Sequence, residues 1–263
     1  MTVKRFLAVV LAALLLCGVI PLTASAAAQE KKAVPAMAPS GASPQDVILD
    51  ALIDNDTFYC LFNMYAINAR CNLGVLSRFN AQRHFAHNKG FDQYLYDNDE
   101  RTFIDNQRGE PVASMLYGTH NIWYNGCELI AVYNALLALD QPKDLSAIVR
   151  DFESAGAVWL EAEFGTKIAQ YAAYLRKQGL TVKEYREAKA LDEDRQDGDV
   201  FVITYSWRST GNQGWNIGIH TIMVKQVNGQ LEAYNNGWAR WYDSFEQLLS
   251  LNGAYLRGYR VSA

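Results

Sequence analysis

The chain has 263 residues, half of them hydrophobic, and a formal net charge of -4 at pH 7. Its lysines and arginines are scattered rather than gathered in a basic stripe, which argues against nucleic acid as a partner. The length is ample for one domain with a sizeable core.

The first 26 residues have the pattern of a secretory signal peptide. Lys4 and Arg5 give a positive start, residues 6–16 give an apolar core too short for a stable membrane span, and Ala24-Ser25-Ala26 gives a small-residue cleavage site. Cys17 does not follow a small residue, which argues against a lipid anchor. We expect a secreted, soluble mature protein with no membrane partner after signal removal.

The rest of the chain divides into three predicted parts. Residues 27–42 are small, polar and proline-bearing, as in a flexible linker. Residues 43–117 form an N-terminal helical region, a cap or a pro-segment, without a chemical signature, and residues 118–263 carry the chemistry. His84 and His87 lie three residues apart, but without a third ligand they indicate an exposed helix face rather than a metal site. We expect neither a metal nor another cofactor.

Hydrophobic spacing predicts helices first and mostly antiparallel strands afterwards, an α+β arrangement. After residue 75, the predicted helices cover residues 76–88, 127–139 and 145–153. Two further helices are predicted, one from a Gly165-Thr166 cap to Gly179 and a short one capped by Ser244. The predicted strands cover residues 180–185, 199–205, 217–227, 230–235 and 255–261. Asn228-Gly229 is a strong turn signal and predicts a hairpin.

Three cysteines, Cys60, Cys71 and Cys127, remain after signal removal. An odd count in an exported protein leaves at least one thiol over or paired outside the chain. Cys60 and Cys71 are eleven residues apart, which along one helix is about 16 Å and beyond disulfide reach. A bridge therefore requires a break between them, and two buried free thiols are the alternative.

Cys127 has the sequence context of a nucleophile. It follows Asn125-Gly126 and precedes an apolar run with helical spacing. The thiol is therefore predicted at a helix N-terminus, where free N–H groups and the macrodipole favour the thiolate. The plain alternative is a small buried hydrophobe at a helix start.

His220 lies near the start of a predicted strand, two residues after Gly218. This position suits a general base. The hairpin register decides which asparagine orients it. A two-residue loop pairs His220 with Gly237 and puts Asn235 on the face of the histidine, whereas a three-residue loop pairs His220 with Asn236. Periodicity alone does not choose between them.

The segment from Gly118 onward resembles papain-like cysteine peptidases, most closely the branch related to bacteriocin-processing, double-glycine leader peptidases. The motifs that carry the resemblance are Gly126-Cys127-Glu128, Gly165-Thr166, Gly218-Ile219-His220 and Asn235-Asn236. The resemblance implies a papain-like fold, in which a central helix with the cysteine packs on an antiparallel sheet that carries the histidine and the asparagine. Asn236 lies sixteen residues after His220, as in that branch, which selects it as the orienting residue.

The resemblance also implies a function, a cysteine peptidase that acts on peptides or proteins by thiol-mediated acyl transfer. Cys127 would attack, His220 would take the thiol proton, and Asn236 would fix the imidazole. The Cys127 N–H and Asn121 would hold the oxyanion. Asn121 stands where the family has glutamine, six residues before the cysteine, and is one methylene shorter. Trp238 would shield the asparagine–histidine bond.

Two alternatives stay open at the same residues. The first is an acyltransferase or transpeptidase, in which an amine competes with water for the acyl-enzyme. The second is a non-catalytic binding protein that keeps the fold, because a fold does not imply a function.

Overall fold

The computed structural model describes residues 75–158, 165–209, 216–237 and 240–263, without the side chains of residues 75–77, 208–209 and 216–217. The predicted signal peptide, the linker, the first helices, the Cys60–Cys71 pair and Trp238 lie outside the described residues. The described residues lie in one compact unit. Residues before 118 pack against the segment that carries Cys127, for example through the two hydrogen bonds between Ile104 and Asn134.

The predicted helices and strands occur in the predicted order along the described chain, with shorter elements between them that were not predicted. The α-helices are α1 (Val75–Asp92), α2 (Ile122–Asn125), α3 (Cys127–Ala138), α4 (Leu145–Ser154), α5 (Ile168–Lys177), α6 (Ala188–Asp194) and α7 (Phe245–Asn252). The strands are β1 (Tyr96–Asp97), β2 (Glu100–Arg101), β3 (Leu116–Tyr117), β4 (His120–Asn121), β5 (Thr181–Tyr185), β6 (Val200–Ser209), β7 (Asn216–Val227), β8 (Gln230–Tyr234), β9 (Trp241–Tyr242) and β10 (Ala254–Ser262). None of these helices is long and apolar enough to cross a membrane.

The main sheet has six strands in the order β5-β10-β6-β7-β8-β9, and every neighbouring pair is antiparallel. The α+β arrangement with an antiparallel sheet is confirmed. One face of the sheet packs against residues of α6 and α7, in a buried cluster that includes Phe201, Ile203, Ile222, Leu191 and Phe245. Helix α3 packs against β6 and β7.

The β7–β8 hairpin has the two-residue loop. Asn228 and Gly229 both have positive φ, 50° and 83°, as a type I′ turn requires. The pairing runs from Val227–Gln230 to Met223–Tyr234, where β8 ends. Asn235, with a φ of 62°, then turns the chain away. The His220 end of β7 therefore extends beyond β8, while it stays paired with β6.

Helix α3 is buried on every side from Cys127 to Leu136, as its almost wholly apolar sequence predicts. Its start is fixed by a close approach between Gly126 and α2. A Cβ at Gly126 would lie 2.4 Å from Ile122 Cγ2 and 2.9 Å from Ile122 Cα. Only glycine fits at the junction without a shift of the backbone, and this junction places Cys127.

Helix α1 corrects the prediction for His84. His84 is buried, and its Nδ1 lies 2.7 Å from Glu153 Oε1, which also accepts the Gly118 N–H at 2.7 Å. His87 is exposed and packs on Phe91, with ring centroids 5.3 Å apart. His84 thus joins α1 to α4 inside the fold, and only His87 lies on the predicted exposed face.

Candidate active site

The Cys127 thiol is free and enclosed, with 6 % of the residue exposed. Its S–H donates to Glu128 Oε2 at 3.3 Å. The backbone N–H groups of Thr221 and Glu128 are close enough to the sulfur to favour its charged form. Thr221 lies just beyond the last β7–β8 pair. The sulfur is therefore near β7 at the residue that follows His220.

The environment of Cys127 favours the thiol, whereas the sequence predicted the thiolate. Burial, and then the Glu128 carboxylate, raise the pKa of the Cys127 thiol well above its usual value. The N–H groups of Thr221 and Glu128 act in the opposite direction and are outweighed. The expected contribution of the helix N-terminus is thus present, but the resting side chain is a thiol.

Glu128 is a buried carboxyl group inside the candidate site. The sequence had not predicted a role for this residue. Burial raises its pKa from 4.5 to about 7, although N–H groups of Glu128 and Thr166 and the Cys127 thiol hydrogen-bond to it. Gly165, with a φ of 73°, packs so closely that a Cβ there would lie 3.0 Å from Glu128 Oε2. Glu128 therefore changes its charge near neutral pH.

Gly165-Thr166 packs against this carboxyl group instead of capping the next helix. Helix α5 begins at Ile168, and Lys167 is its N-cap. The Thr166 hydroxyl hydrogen-bonds to the Tyr117 hydroxyl at 2.5 Å, and its backbone N–H reaches Glu128. The cap prediction is wrong because these contacts, made far along the chain, occupy the two residues.

His220 is held by a backbone carbonyl group. Its Nε2 lies 2.6 Å from the Asn235 oxygen, and since a carbonyl only accepts, Nε2 carries the hydrogen and Nδ1 has the lone pair. The ring of Tyr205 packs edge-on, with centroids 5.7 Å apart. Burial lowers the pKa of His220, the Asn235 carbonyl raises it, and the Arg108 guanidinium lowers it. The imidazole is thus a neutral base at pH 7.

The two asparagines have roles different from the predicted ones. The bonds described for the Asn236 side chain join it to two tyrosine hydroxyls, that of Tyr205 at 3.0 Å and that of Tyr242. Asn235 reaches the imidazole through its carbonyl group, while its side chain bonds to Gln107. Because the hairpin has the two-residue loop, Asn236 is not the residue that the register places opposite His220. Its described contribution is to hold Tyr205 against the imidazole.

Asn121, the predicted oxyanion donor, is the partly exposed N-cap residue of α2. Its side chain makes no capping hydrogen bond to that helix. The amide is therefore not committed to α2, and its contact with an oxyanion stays a prediction.

The loop over residues 105–111 belongs to the site, although residues 43–117 have no chemical signature in the sequence. The Gln107 N–H donates to Asn235 Oδ1 at 2.9 Å, and Gln107 Oε1 accepts from Asn235 Nδ2 at 3.1 Å. Gln107 Nε2 also donates to the Trp123 carbonyl at 3.1 Å. The next residue, Arg108, lies over the Trp123 ring, 5.8 Å from its centroid. Gln107 therefore ties the loop to the residue that holds His220.

No hydrogen bond joins Cys127 to His220 among the residues that the structure describes. Thr221, the chain neighbour of His220, is the residue of β7 whose N–H acts on the sulfur. The thiol donates to Glu128, and the imidazole has its lone pair at Nδ1. The described contacts thus bring a thiol and a neutral imidazole to the same part of the fold.

No protein-family model, no curated protein and no solved structure matches the chain. The resemblance to papain-like peptidases rests on the short motifs given above.

Proposed function

We propose that this chain is a secreted cysteine hydrolase of the papain-like type, a peptidase that acts by thiol-mediated acyl transfer. The observation that carries the proposal is the packing of α3, which begins at Cys127, against β7, which carries His220. The tautomer of His220, which leaves Nδ1 as a proton acceptor, supports the same reading.

The proton states suggest how the reaction starts. Because the thiol pKa is raised and the imidazole pKa is lowered, the resting site is a neutral pair rather than a thiolate and an imidazolium. Substrate binding would turn the S–H from Glu128 toward Nδ1 of His220. The sulfur would then attack the carbonyl carbon as the imidazole takes the proton, and the imidazolium would return that proton to the leaving amine.

The intermediate of this attack carries a negative oxygen. The backbone N–H of Cys127 and the side-chain amide of Asn121 are the proposed donors to it. Water would then hydrolyse the acyl-enzyme, with His220 as its base, and would release the second product. The expected substrates are peptides or proteins.

The test uses the mature protein and a mixed peptide library, with new peptide termini identified by mass spectrometry. Wild type should cleave, Cys127→Ala should not, and His220→Ala should be much slower. His87→Ala, which changes an exposed histidine on α1, is the matched control and should cleave like wild type. Absence of cleavage by wild type, or the same products from Cys127→Ala, would refute a peptidase.

A non-catalytic binding protein is the second candidate, and the raised pKa of the Cys127 thiol favours it. It predicts no acyl adduct on Cys127 with any peptide or peptide thioester. An acyltransferase or transpeptidase would form that adduct and would pass the acyl group to an added amine, such as glycinamide, in preference to water.

A further inference from the structure

Arg108 is an exposed cation in the loop that is tied to Asn235, the residue that holds the candidate base. The preceding residue, Gln107, is tied to Asn235 and to the Trp123 carbonyl, so the loop is anchored directly before Arg108. The guanidinium lies over the Trp123 ring at 5.8 Å, which orients its planar fork. It is also close enough to His220 to act on the charge of the imidazole.

No ion pair described for the fold joins Arg108 to a carboxylate, in contrast to Arg101 and Arg240. Arg101 pairs with Asp144 at 2.5 Å, and Arg240 pairs with Asp105 at 2.6 Å and with Glu232 at 2.8 Å. The one hydrogen bond described for Arg108 joins its backbone N–H to Asn106 Oδ1, and none of the bonds described in this part of the chain uses its guanidinium. Arginine is the side chain best suited to hold a carboxylate by two parallel hydrogen bonds.

We propose that Arg108 selects substrates that carry a carboxylate group next to the bond that is cleaved. The inference rests on the proposed function and names the substrate class of that site. The carboxylate can come from an acidic side chain or from a free peptide C-terminus, and both present the same two oxygens to the guanidinium. Trp123, 45 % exposed, and the neighbouring exposed Tyr124 offer apolar surface for the adjoining part of the substrate.

A bound carboxylate would also change the base. The Arg108 charge lowers the pKa of His220, and a negative partner would offset that charge. Occupation of the guanidinium would therefore make the imidazole a better proton acceptor at the moment when the thiol must lose its proton. Selection of the substrate and activation of His220 would thus both depend on the contact between Arg108 and the substrate carboxylate.

The test measures how fast matched electrophilic peptides modify Cys127, followed by peptide mass mapping. One pair consists of peptidyl chloromethyl ketones that end in Glu or in Gln, for the side-chain source. The other pair consists of epoxysuccinyl peptides with a free carboxylate or its amide, for the terminal source. Each is reacted with wild type, Arg108→Gln, Arg108→Lys, and the control Arg83→Gln, which changes an exposed arginine on α1.

In wild type, the acidic member of at least one pair should react about tenfold faster than its neutral partner, the size expected for a charge-assisted hydrogen bond. Arg108→Gln should remove the preference, Arg108→Lys should keep part of it, and Arg83→Gln should keep all of it. Equal rates within both pairs in wild type, or a preference that survives in Arg108→Gln, would overturn the inference.

Failure of the proposed function gives a different pattern. In that case His220→Ala would react with every probe as fast as wild type, because the histidine would have no part in activating the sulfur. A His220-dependent reaction without an acid preference would reject the Arg108 inference alone.

Discussion

Glu128 controls the protonation of Cys127 at the scale of single residues. The two side chains are consecutive in the chain and meet at 3.3 Å in a buried site. A negative carboxylate at that distance disfavours a negative sulfur, so ionisation of Glu128 keeps the thiol proton in place. The nucleophile is therefore restrained by its own neighbour until the proton can move to another acceptor.

Glu128→Gln should make Cys127 more reactive. Glutamine keeps the size and an acceptor for the S–H but removes the charge, so the thiol pKa should fall. At pH 7.5 iodoacetamide should modify Cys127 several-fold faster in the variant, because a lower thiol pKa leaves a larger fraction of the side chain as the reactive thiolate. The rate is read from the Cys127 peptide, with Glu193→Gln, an exposed acid on α6, as control. An unchanged pH profile would show that Glu128 does not govern the thiol.

Asn235 presents its carbonyl group to His220 from a left-handed backbone conformation, with a φ of 62°. Asn235→Gly and Asn235→Ala both remove the side-chain bonds to Gln107, but only glycine adopts this φ without strain, which for alanine is about 1–2 kcal/mol. We expect Asn235→Ala to slow Cys127 labelling by a peptidyl chloromethyl ketone more than Asn235→Gly does. Equal rates would mean that the carbonyl position is not set by this backbone conformation.

At the scale of elements, the α2–α3 junction sets where the nucleophile lies. Gly126→Ala places a Cβ against Ile122, and part of that contact is with backbone, so it should lower the free energy of unfolding by about 1–3 kcal/mol. Gly90→Ala is the matched control, because Gly90 lies in α1 with nothing within 4 Å of an added Cβ. It should raise stability by about 0.5–1 kcal/mol. Urea denaturation distinguishes the two signs, and a neutral Gly126→Ala would contradict the packing argument.

Elements with a strong local pattern could be predicted from the sequence. The apolar run after Cys127 predicted α3 to within a residue of its end, and Asn228-Gly229 predicted the hairpin loop. Helix α6 (Ala188–Asp194) was missed because it spans seven residues and buries only Leu191, which is too little for a periodic signal. The face on which His84 lies was mispredicted because its partner, Glu153, is 69 residues away.

At the scale of the whole molecule, the site is assembled by contacts that no local pattern encodes. Gln107 and Asn235 are 128 residues apart, yet their hydrogen bonds position the carbonyl group that holds His220. Thr166 and Gly165 likewise complete the surroundings of Glu128 from a distant segment. Motif spacing could nominate Cys127 and His220, but the charge state of the thiol depends on burial and on these neighbours.

The burial of Glu128 should also be visible in the stability of the whole molecule. Its pKa is about 7 in the folded protein, against 4.5 for an exposed glutamate. A group whose pKa is raised by folding stabilises the fold fully below its unfolded pKa, and this contribution is lost as the pH rises through the folded value. The difference between 4.5 and about 7 corresponds to about 3 kcal/mol.

The free energy of unfolding of wild type, relative to that of Glu128→Gln, should therefore fall by about 3 kcal/mol between pH 4.5 and pH 8. The subtraction removes the titration of groups common to both proteins, and glutamine itself does not titrate. Urea denaturation followed by tryptophan fluorescence at several pH values in that window gives the difference. A difference that stays constant with pH would mean that Glu128 keeps an ordinary pKa in the folded state, and the restraint on the Cys127 thiol would then have to come from burial alone.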